Sequence, residues 1–253
     1  MKENVTAQAI TVDEAEIAHF TAMADEWWDA KGKFAPLHAM NPVRLQFIRD
    51  HIAARHARDI TARQPLSGIS VLDVGSGGGL ICEPLARLGA SVTGVDAAEK
   101  NTQIARLHAE QMGLDIDYRH STAEALATED KRYDVVLALE IVEHVADVEA
   151  FLAAITRLVK PGGLLFMSTI NRTAKSYATA IIGAEYVLRW LPKGTHHWKK
   201  FLKPSELILP LEQYGITTHD LQGMAYDPFN ASWSLSPRAL DVNYLFMGVK
   251  TSE

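Results

Sequence analysis

Residues Ile69–Asp96, ISVLDVGSGGGLICEPLARLGASVTGVD, decide the fold, because they read as strand, glycine turn, helix and strand in one unit. Ile69, Val71, Leu72 and Val74 form a nearly continuous apolar run, the pattern of a strand covered on both faces in a parallel sheet. Gly75, Gly77, Gly78 and Gly79 follow, and residues without a Cβ let the backbone turn sharply and approach a ligand. A helix predicted immediately after them offers unpaired N–H groups at the turn and can lay Leu80, Leu85 and Leu88 on the sheet. The next strand, Ser91–Val95, ends in Asp96, a carboxylate placed to accept two hydrogen bonds from the hydroxyls of a ribose.

The spelling of the turn separates two cofactor classes. The dinucleotide fingerprint G-x-G-x-x-G needs glycine at position 80, which holds Leu80, and this counts against NAD and FAD. The pattern Asp73-x-Gly75-x-Gly77-x-Gly79, with a carboxylate near the end of the first strand, resembles the first motif of class I S-adenosylmethionine methyltransferases. A carboxylate suits a sulfonium-bearing zwitterion and would repel a pyrophosphate.

With 253 residues, 47% of them hydrophobic, and a net charge of -6, the chain is long enough for one sizeable α/β domain. That balance gives no overall electrostatic reason to expect nucleic acid as a partner. Cys82 is the single cysteine, so no intrachain disulfide or cysteine-based zinc site can form, which suits a reducing compartment. The N-terminus lacks the apolar core of a signal peptide, and no apolar run is long enough to span a bilayer, so a cytoplasmic protein is expected.

Upstream of the glycine unit, Asp13 is a plausible N-cap for a helix carrying Ile17, Phe20 and Met23, which leads to Trp27 and Trp28. Adjacent tryptophans cannot share one helix face, so one should turn to a second contact, in the core or on a substrate. Asn41-Pro42 predicts a helix start, with Leu45, Ile48 and Ile52 inward and Arg44 near its beginning; an arginine there is most often a solvated charge. Downstream, a helix over Ala98–Met112 with Ile104 and Leu107 inward leads to a strand over Asp115–Arg119 and the polar link His120–Glu124. Thr122 lies in that link, where a strand end in a doubly wound sheet would meet adenine. The strand Tyr133–Leu139, a helix over Asp147–Lys160, the turn Pro161-Gly162-Gly163 and the strand Leu164–Ser168 follow. Strands alternating with helices imply right-handed crossovers, which gather Gly75, Asp96, Thr122 and Glu140 along one carboxyl edge.

Residues 171–203 break the alternation. Tyr177, Ala180, Ile181, Ala184, Val187, Leu188 and Leu191 form an apolar helical stripe, surrounded by Arg172, Lys175, Arg189, Lys193, Lys199, Lys200 and Lys203. Such a segment, with Trp190 and Trp198 nearby, fits the surface of an anionic membrane, and equally a lid over the protein's own site. A helix from Ser205 to Tyr214 and strands over Ile216–Leu221 and Val242–Val249 close the chain, with 227–241 as a loop. The layout is therefore one domain over 1–253: a helical cap (1–65), a cofactor-binding core (66–170), a helical insertion after strand five (171–203), and a C-terminal helix and strands (204–253). The fold class is α/β, a doubly wound, mostly parallel, seven-stranded Rossmann-like methyltransferase sheet.

Glu140, Glu143 and His144 form an E-x-x-E-H cluster after the fourth strand. Two chemistries compete. In one, the three hold Mg²⁺, which binds vicinal oxygens of a catechol; in the other, His144 or Glu143 is the general base for a phenol proton. A purely structural role for the cluster stays open beside them.

The segments Phe20–Asp29 (FTAMADEWWD), Gly32–His38 (GKFAPLH), Asn41–Leu45 (NPVRL), Glu140–Val145 (EIVEHV), Lys160–Gly163 (KPGG) and Ser168–Arg172 (STINR) resemble the ubiquinone-biosynthesis O-methyltransferase family. Gly183–Tyr186 (GAEY), Pro192–His196 (PKGTH) and Asp241–Tyr244 (DVNY) are similar to it as well, so the likeness spans nearly the whole chain. It implies methylation of ring hydroxyls on a polyprenyl catechol-type intermediate and on 3-demethylubiquinol. It also implies contact of Arg44, Gly75, Asp96 and Leu139 with S-adenosylmethionine, Arg44 on the methionine carboxylate, and magnesium ligation by Glu140, Glu143 and His144. Asp73, Gly77 and Thr122 complete the expected cofactor set. Ser76 departs from the family's usual cysteine, without consequence where the backbone does the binding. A bilayer-resident polyprenyl substrate favours peripheral contact of 171–203 with the inner face of the cytoplasmic membrane, and other enzymes of ubiquinone synthesis are candidate partners. The alternatives are an O-methyltransferase for another small phenol and a non-catalytic S-adenosylmethionine-binding protein.

Overall fold

The computed structural model describes residues 12–179, 197–227, 230 and 232–252. Its centre is an eight-stranded sheet in the order β3-β2-β1-β4-β5-β8-β6-β7. Strand β1 (Ser70–Val74) pairs in parallel with β2 (Ser91–Asp96) and β4 (Tyr133–Leu139). Strand β3 (Asp117–His120) joins β2, and β5 (Val159–Ile170) joins β4, also in parallel. The last three strands are antiparallel: β6 (Ile216–Asp227) hairpins with β7 (Ser232–Ser236), and β8 (Asn243–Lys250) inserts between β5 and β6. The predicted seven strands become eight because β7 lies inside 227–241, expected to be a loop.

Alternate residues of each central strand feed two cores. Leu72, Val136, Leu165 and Phe246 face Phe151, Leu152 and Ile155 of α6 (Val148–Leu158) and Leu207 and Leu211 of α8 (Pro204–Gln213). On the opposite face, Val71, Val135, Leu137 and Phe166 meet Phe47, Ile48 and Ile52 of α2 (Ala35–Arg55) and Leu85 of α3 (Cys82–Arg87). Each such fully buried side chain contributes roughly 1.5–3 kcal/mol, and the two-sided burial explains why the strands read as apolar runs.

Several boundaries differ from expectation. Helix α2 begins at Ala35, not at Asn41-Pro42, and Pro42 lies inside it. A proline there removes one i→i−4 bond, yet the buried face of Met40, Phe47, Ile48 and Ile52 carries the helix through. Helix α3 starts at Cys82 rather than at the glycines, because Gly75, Gly77 and Gly79 take φ of 74°, 52° and 88°, outside the right-handed helical region. Leu107 of α4 (Glu99–Gln111) is 56% exposed, and Ala105 and Ala109 pack inward instead. The turn Pro161-Gly162-Gly163 is absorbed into β5, where the register against β4 shifts between Tyr133 and Val135. The N-cap prediction at Asp13 holds, its carboxylate accepting from the Ala15 N–H (3.1 Å), and Asp147, where the sequence started the next helix, caps α6 by accepting from the Ala150 N–H (3.0 Å). In the expected insertion, a capping box between Thr173 and Ser176 opens the short α7 (Ala174–Ser176), and residues 180–196 lie outside the described residues.

Candidate active site

A cavity of about 930 Å³ runs along the carboxyl edge of the parallel strands. Arg44, Asp73, Gly75, Gly77, Asp96, Thr122, Leu139, Glu140, Glu143 and His144 all line it, so the fold brings every sequence-predicted site residue to one cavity.

At one end, the glycine turn is pressed between Asp96 and two tryptophans. Asp96 accepts from the Gly77 N–H (2.9 Å) through Oδ2, and from the Ala98 N–H (2.8 Å) and Asn101 Nδ2 (3.1 Å) through Oδ1. Its carboxylate is thereby oriented, and burial holds its pKa above the ordinary value. Trp27 stacks on Phe34 at 3.7 Å and donates from Nε1 to Asn101 Oδ1 (2.9 Å). A Cβ on Gly77 would come within 2.4 Å of the Trp27 ring, which explains glycine there beyond its φ of 52°. Trp28 turns the other way, donating to the Gly78 carbonyl (3.0 Å) and stacking on His108 at 3.5 Å. The two tryptophans therefore do separate, and both grip the turn. Beneath it Asp73 is 4% exposed and accepts from Cys82 Sγ at 3.2 Å. Burial pushes its carboxyl up to about 7, against the Cys82 contact and helped by Asp96. Thr122 caps α5 (Ala123–Leu126), its Oγ1 accepting from the Ala125 N–H at 3.2 Å.

Over β4 and β5 stands the charged part. Arg44, read as a solvated charge on residue statistics, is only 2% exposed and donates from Nη2 to Glu140 Oε1 at 2.6 Å. Ser168 Oγ also donates to that oxygen (2.7 Å), and Asn243 Nδ2 reaches Oε2 at 3.4 Å. These partners hold Glu140 at a φ of 51°, a strain of about 1–3 kcal/mol for a residue with a Cβ. Glu143 is 3% exposed; Thr169 Oγ1 donates to its Oε2 (2.8 Å), while its Oε1 is buried without a partner. Burial and the neighbouring Glu140 push the Glu143 carboxyl upward.

His144 closes the 3₁₀ turn Val142–His144 and pairs through Nδ1 with Glu16 Oε2 of α1 (Glu14–Met23) at 3.1 Å. Burial alone would lower its pKa, but the Glu16 bond and the Glu143 and Glu140 carboxylates override it and hold the imidazole above its ordinary value. Phe20 packs edge-on to the ring at 5.2 Å. Glu16 also receives Lys200 Nζ at 3.1 Å, and Lys200 reaches Asp13 at 3.1 Å, so α1 is strapped across the cavity. For Glu16 burial acts upward, but its bonds to His144 and Lys200 override it and bring it down to about 2.

The expected metal triad does not fit this arrangement. Each of the three takes a separate partner: Glu140 meets Arg44 and Ser168, Glu143 meets Thr169 through Oε2, and His144 meets Glu16 through Nδ1. Among the described residues, no group of three or more His, Cys, Asp or Glu side chains converges to hold a metal ion.

Part of the basic character of 171–203 is also satisfied internally. Arg172 pairs with Glu206, Lys175 with Asp241 at 3.2 Å, and Lys200 with α1. The sequence predicts α1 as a helix but gives it no place at the site, and Glu16, Ser168 and Asn243 were not singled out as site residues. The Glu16–His144 separation of 128 positions leaves no local signal for that pairing.

Residues 72–167 match the methyltransferase domain family. Ubiquinone biosynthesis O-methyltransferase of Dinoroseobacter shibae is 56% identical over 246 residues, covering 97% of this chain and 99% of the relative. The chain belongs to the ubiquinone biosynthesis O-methyltransferase family. The relative of the same name from Roseobacter denitrificans is also 56% identical, over 244 residues, covering 96% and 98%. Among solved structures, magnesium protoporphyrin IX methyltransferase from Synechocystis with bound SAH superposes with a TM-score of 0.67 at 19% identity, covering 94% of this chain and all of that one, a likeness of fold. As a member of this O-methyltransferase family, the chain has its glycine turn at one end of the cavity and its carboxylate–histidine group at the other.

Proposed function

We propose that this chain transfers the methyl group of S-adenosylmethionine to ring hydroxyls of a polyprenyl catechol-type intermediate and of 3-demethylubiquinol. The observation that carries the reading is the single cavity joining the Asp96-ordered glycine turn to His144, oriented by Glu16. When bound, S-adenosylmethionine supplies an electrophilic methyl on a sulfonium. Asp96 would accept from its ribose, Thr122 and Leu139 would flank its base, and Gly75 and Gly77 would admit it closely. Arg44 and Asp73 would hold its methionine end. The unpartnered Nε of Arg44 and Oγ of Ser76, both buried, are free donors there.

At the other end, His144 takes the acceptor's phenolic proton at the imidazole nitrogen turned away from Glu16. The Nδ1 contact fixes that orientation, and the imidazolium formed is stabilised by the Glu16 carboxylate. Glu143, with its pKa raised, is the second candidate at the acceptor oxygen through its open Oε1. Aligning the attacking oxygen with the methyl contributes on the order of 7–11 kcal/mol in well-oriented systems.

Residues 1–253 act as one methyltransferase domain in this reading. Among the described residues no helix is long and apolar enough to cross a membrane. Substrate is reached by peripheral contact with the inner face of the cytoplasmic membrane, through basic residues of 171–203, and other enzymes of ubiquinone synthesis are the proposed partners there. Binding to anionic vesicles that weakens as salt rises supports this contact; vesicle binding retained after deletion of 175–200 refutes it. For the reaction, incubation with methyl-labelled cofactor and a short-chain demethylubiquinol should label a ring oxygen. Label on ring carbon, or turnover confined to other phenols, would overturn the proposal.

A further inference from the structure

Strand order lays out the cavity linearly. Asp96 and Thr122 stand over β2 and β3, and Glu140, Glu143 and His144 over β4 and β5. Beyond them come β8, β6 and β7. The last pairing of β6 with β8 is Met224 with Asn243, and Asn243 also pairs with Ile170 at the carboxyl end of β5. Residues Ala225–Asp227 therefore run past β8, paired with β7 alone, as a hairpin overhanging the same edge on which the cofactor residues sit. Tyr226 and Trp233 face each other on this overhang with ring centroids 5.2 Å apart, and both line the cavity, together with Met224 and Val242.

We propose that this overhang is the binding site for the acceptor's isoprenoid tail, with Tyr226 and Trp233 holding its first units. The inference rests on the acceptor reading above. If the nucleoside fills the β2–β3 side and the reacting oxygen lies over β4–β5, the remainder of the acceptor can extend along the edge only toward β6 and β7. At about 4.8 Å per strand, these lie roughly 14–19 Å from β4. An apolar aromatic wall there recognises a hydrocarbon chain, and each fully buried methylene is worth about fourfold in affinity.

The test uses the full chain and quinol acceptors carrying zero, one, two or three isoprene units. The parent KM should fall at least about tenfold from no tail to two units. In Trp233→Ala and Tyr226→Leu that ratio should fall to within about threefold, while Leu209→Ala, an outward-facing change at a residue 59% exposed, should retain it. The milder Tyr226→Leu guards against a folding defect at Trp233, and a thermal melt of each variant checks the fold. Parent-like ratios in both variants, or no tail dependence in the parent, overturn the proposal. Quenching of tryptophan fluorescence by the corresponding quinones, in parent and Tyr226→Leu, separates the two claims. Tail-dependent binding lost in Tyr226→Leu without turnover on any quinol keeps the tail site and rejects the acceptor chemistry. Turnover without tail-dependent binding does the reverse.

Discussion

Replacing Asp73 by Asn isolates the energetic consequence of burying a carboxylate under the glycine turn. In the folded chain Asp73 is held at about 7 against an ordinary value of 3.8, chiefly by burial. A folded-state pKa raised in this way contributes stability that is full below about 3.8 and lost as pH rises through 7. At about 1.4 kcal/mol per unit, the loss is about 4 kcal/mol in all, of which about 3 kcal/mol falls between pH 5 and pH 8. Asn keeps an acceptor for Cys82 and does not titrate. Relative to the parent, D73N should therefore gain stability steadily from pH 5 to pH 8, by roughly 6 °C in melting temperature for a chain of this length. The assay is a pair of melting curves without cofactor across that range; the difference between variants cancels the other titrating groups. Parallel curves would refute the argument that burial dominates at Asp73. A cationic methionine end beside Asp73 also predicts that the methyl donor narrows the gap at pH 8 by favouring the ionised parent.

Three further outcomes follow from the same geometry. Asp96→Asn replaces one of two accepting oxygens by a donor facing the Gly77 or Ala98 N–H, so cofactor affinity by calorimetry should fall roughly 10- to 100-fold; parent-like affinity would contradict the role given to Asp96. Gly77→Ala places a methyl 2.4 Å from Trp27 at a φ of 52°, and should both weaken cofactor binding at least tenfold and destabilise the chain by about 1–3 kcal/mol in urea unfolding. Glu16→Gln removes the main contact raising the His144 imidazole, so the ascending limb of kcat/KM against pH should move to lower pH while the plateau drops roughly tenfold. An unmoved limb would take His144 out of the proton transfer.

The glycine unit was legible because its physics is local: apolar runs, residues free of Cβ and a strand-terminal acid all lie within Ile69–Asp96. Its helix boundary was not, since positive φ at Gly75, Gly77 and Gly79 delays α3 to Cys82. Arg44 looked like a surface charge because burial of an arginine depends on a distant carboxylate, here Glu140. The E-x-x-E-H cluster reaches the expected edge, but spacing could not reveal that each member takes a separate partner. Strand β7 did leave a trace: Ser232, Trp233, Ser234, Leu235 and Ser236 alternate polar and apolar with period two, a signal outweighed by the turn-forming residues around it. The start of α2 at Ala35 was hidden by Asn41-Pro42, a strong local cap motif overridden by tertiary packing.

The central claim is that the edge over β1 and β2 binds a sulfonium nucleoside rather than a dinucleotide. Calorimetric titration of the purified chain with S-adenosylmethionine, its demethylated product and NAD tests it most directly. The account predicts one site per chain for the first two and no heat with NAD; saturable binding of NAD, with none of the methyl donor or its product, would contradict it.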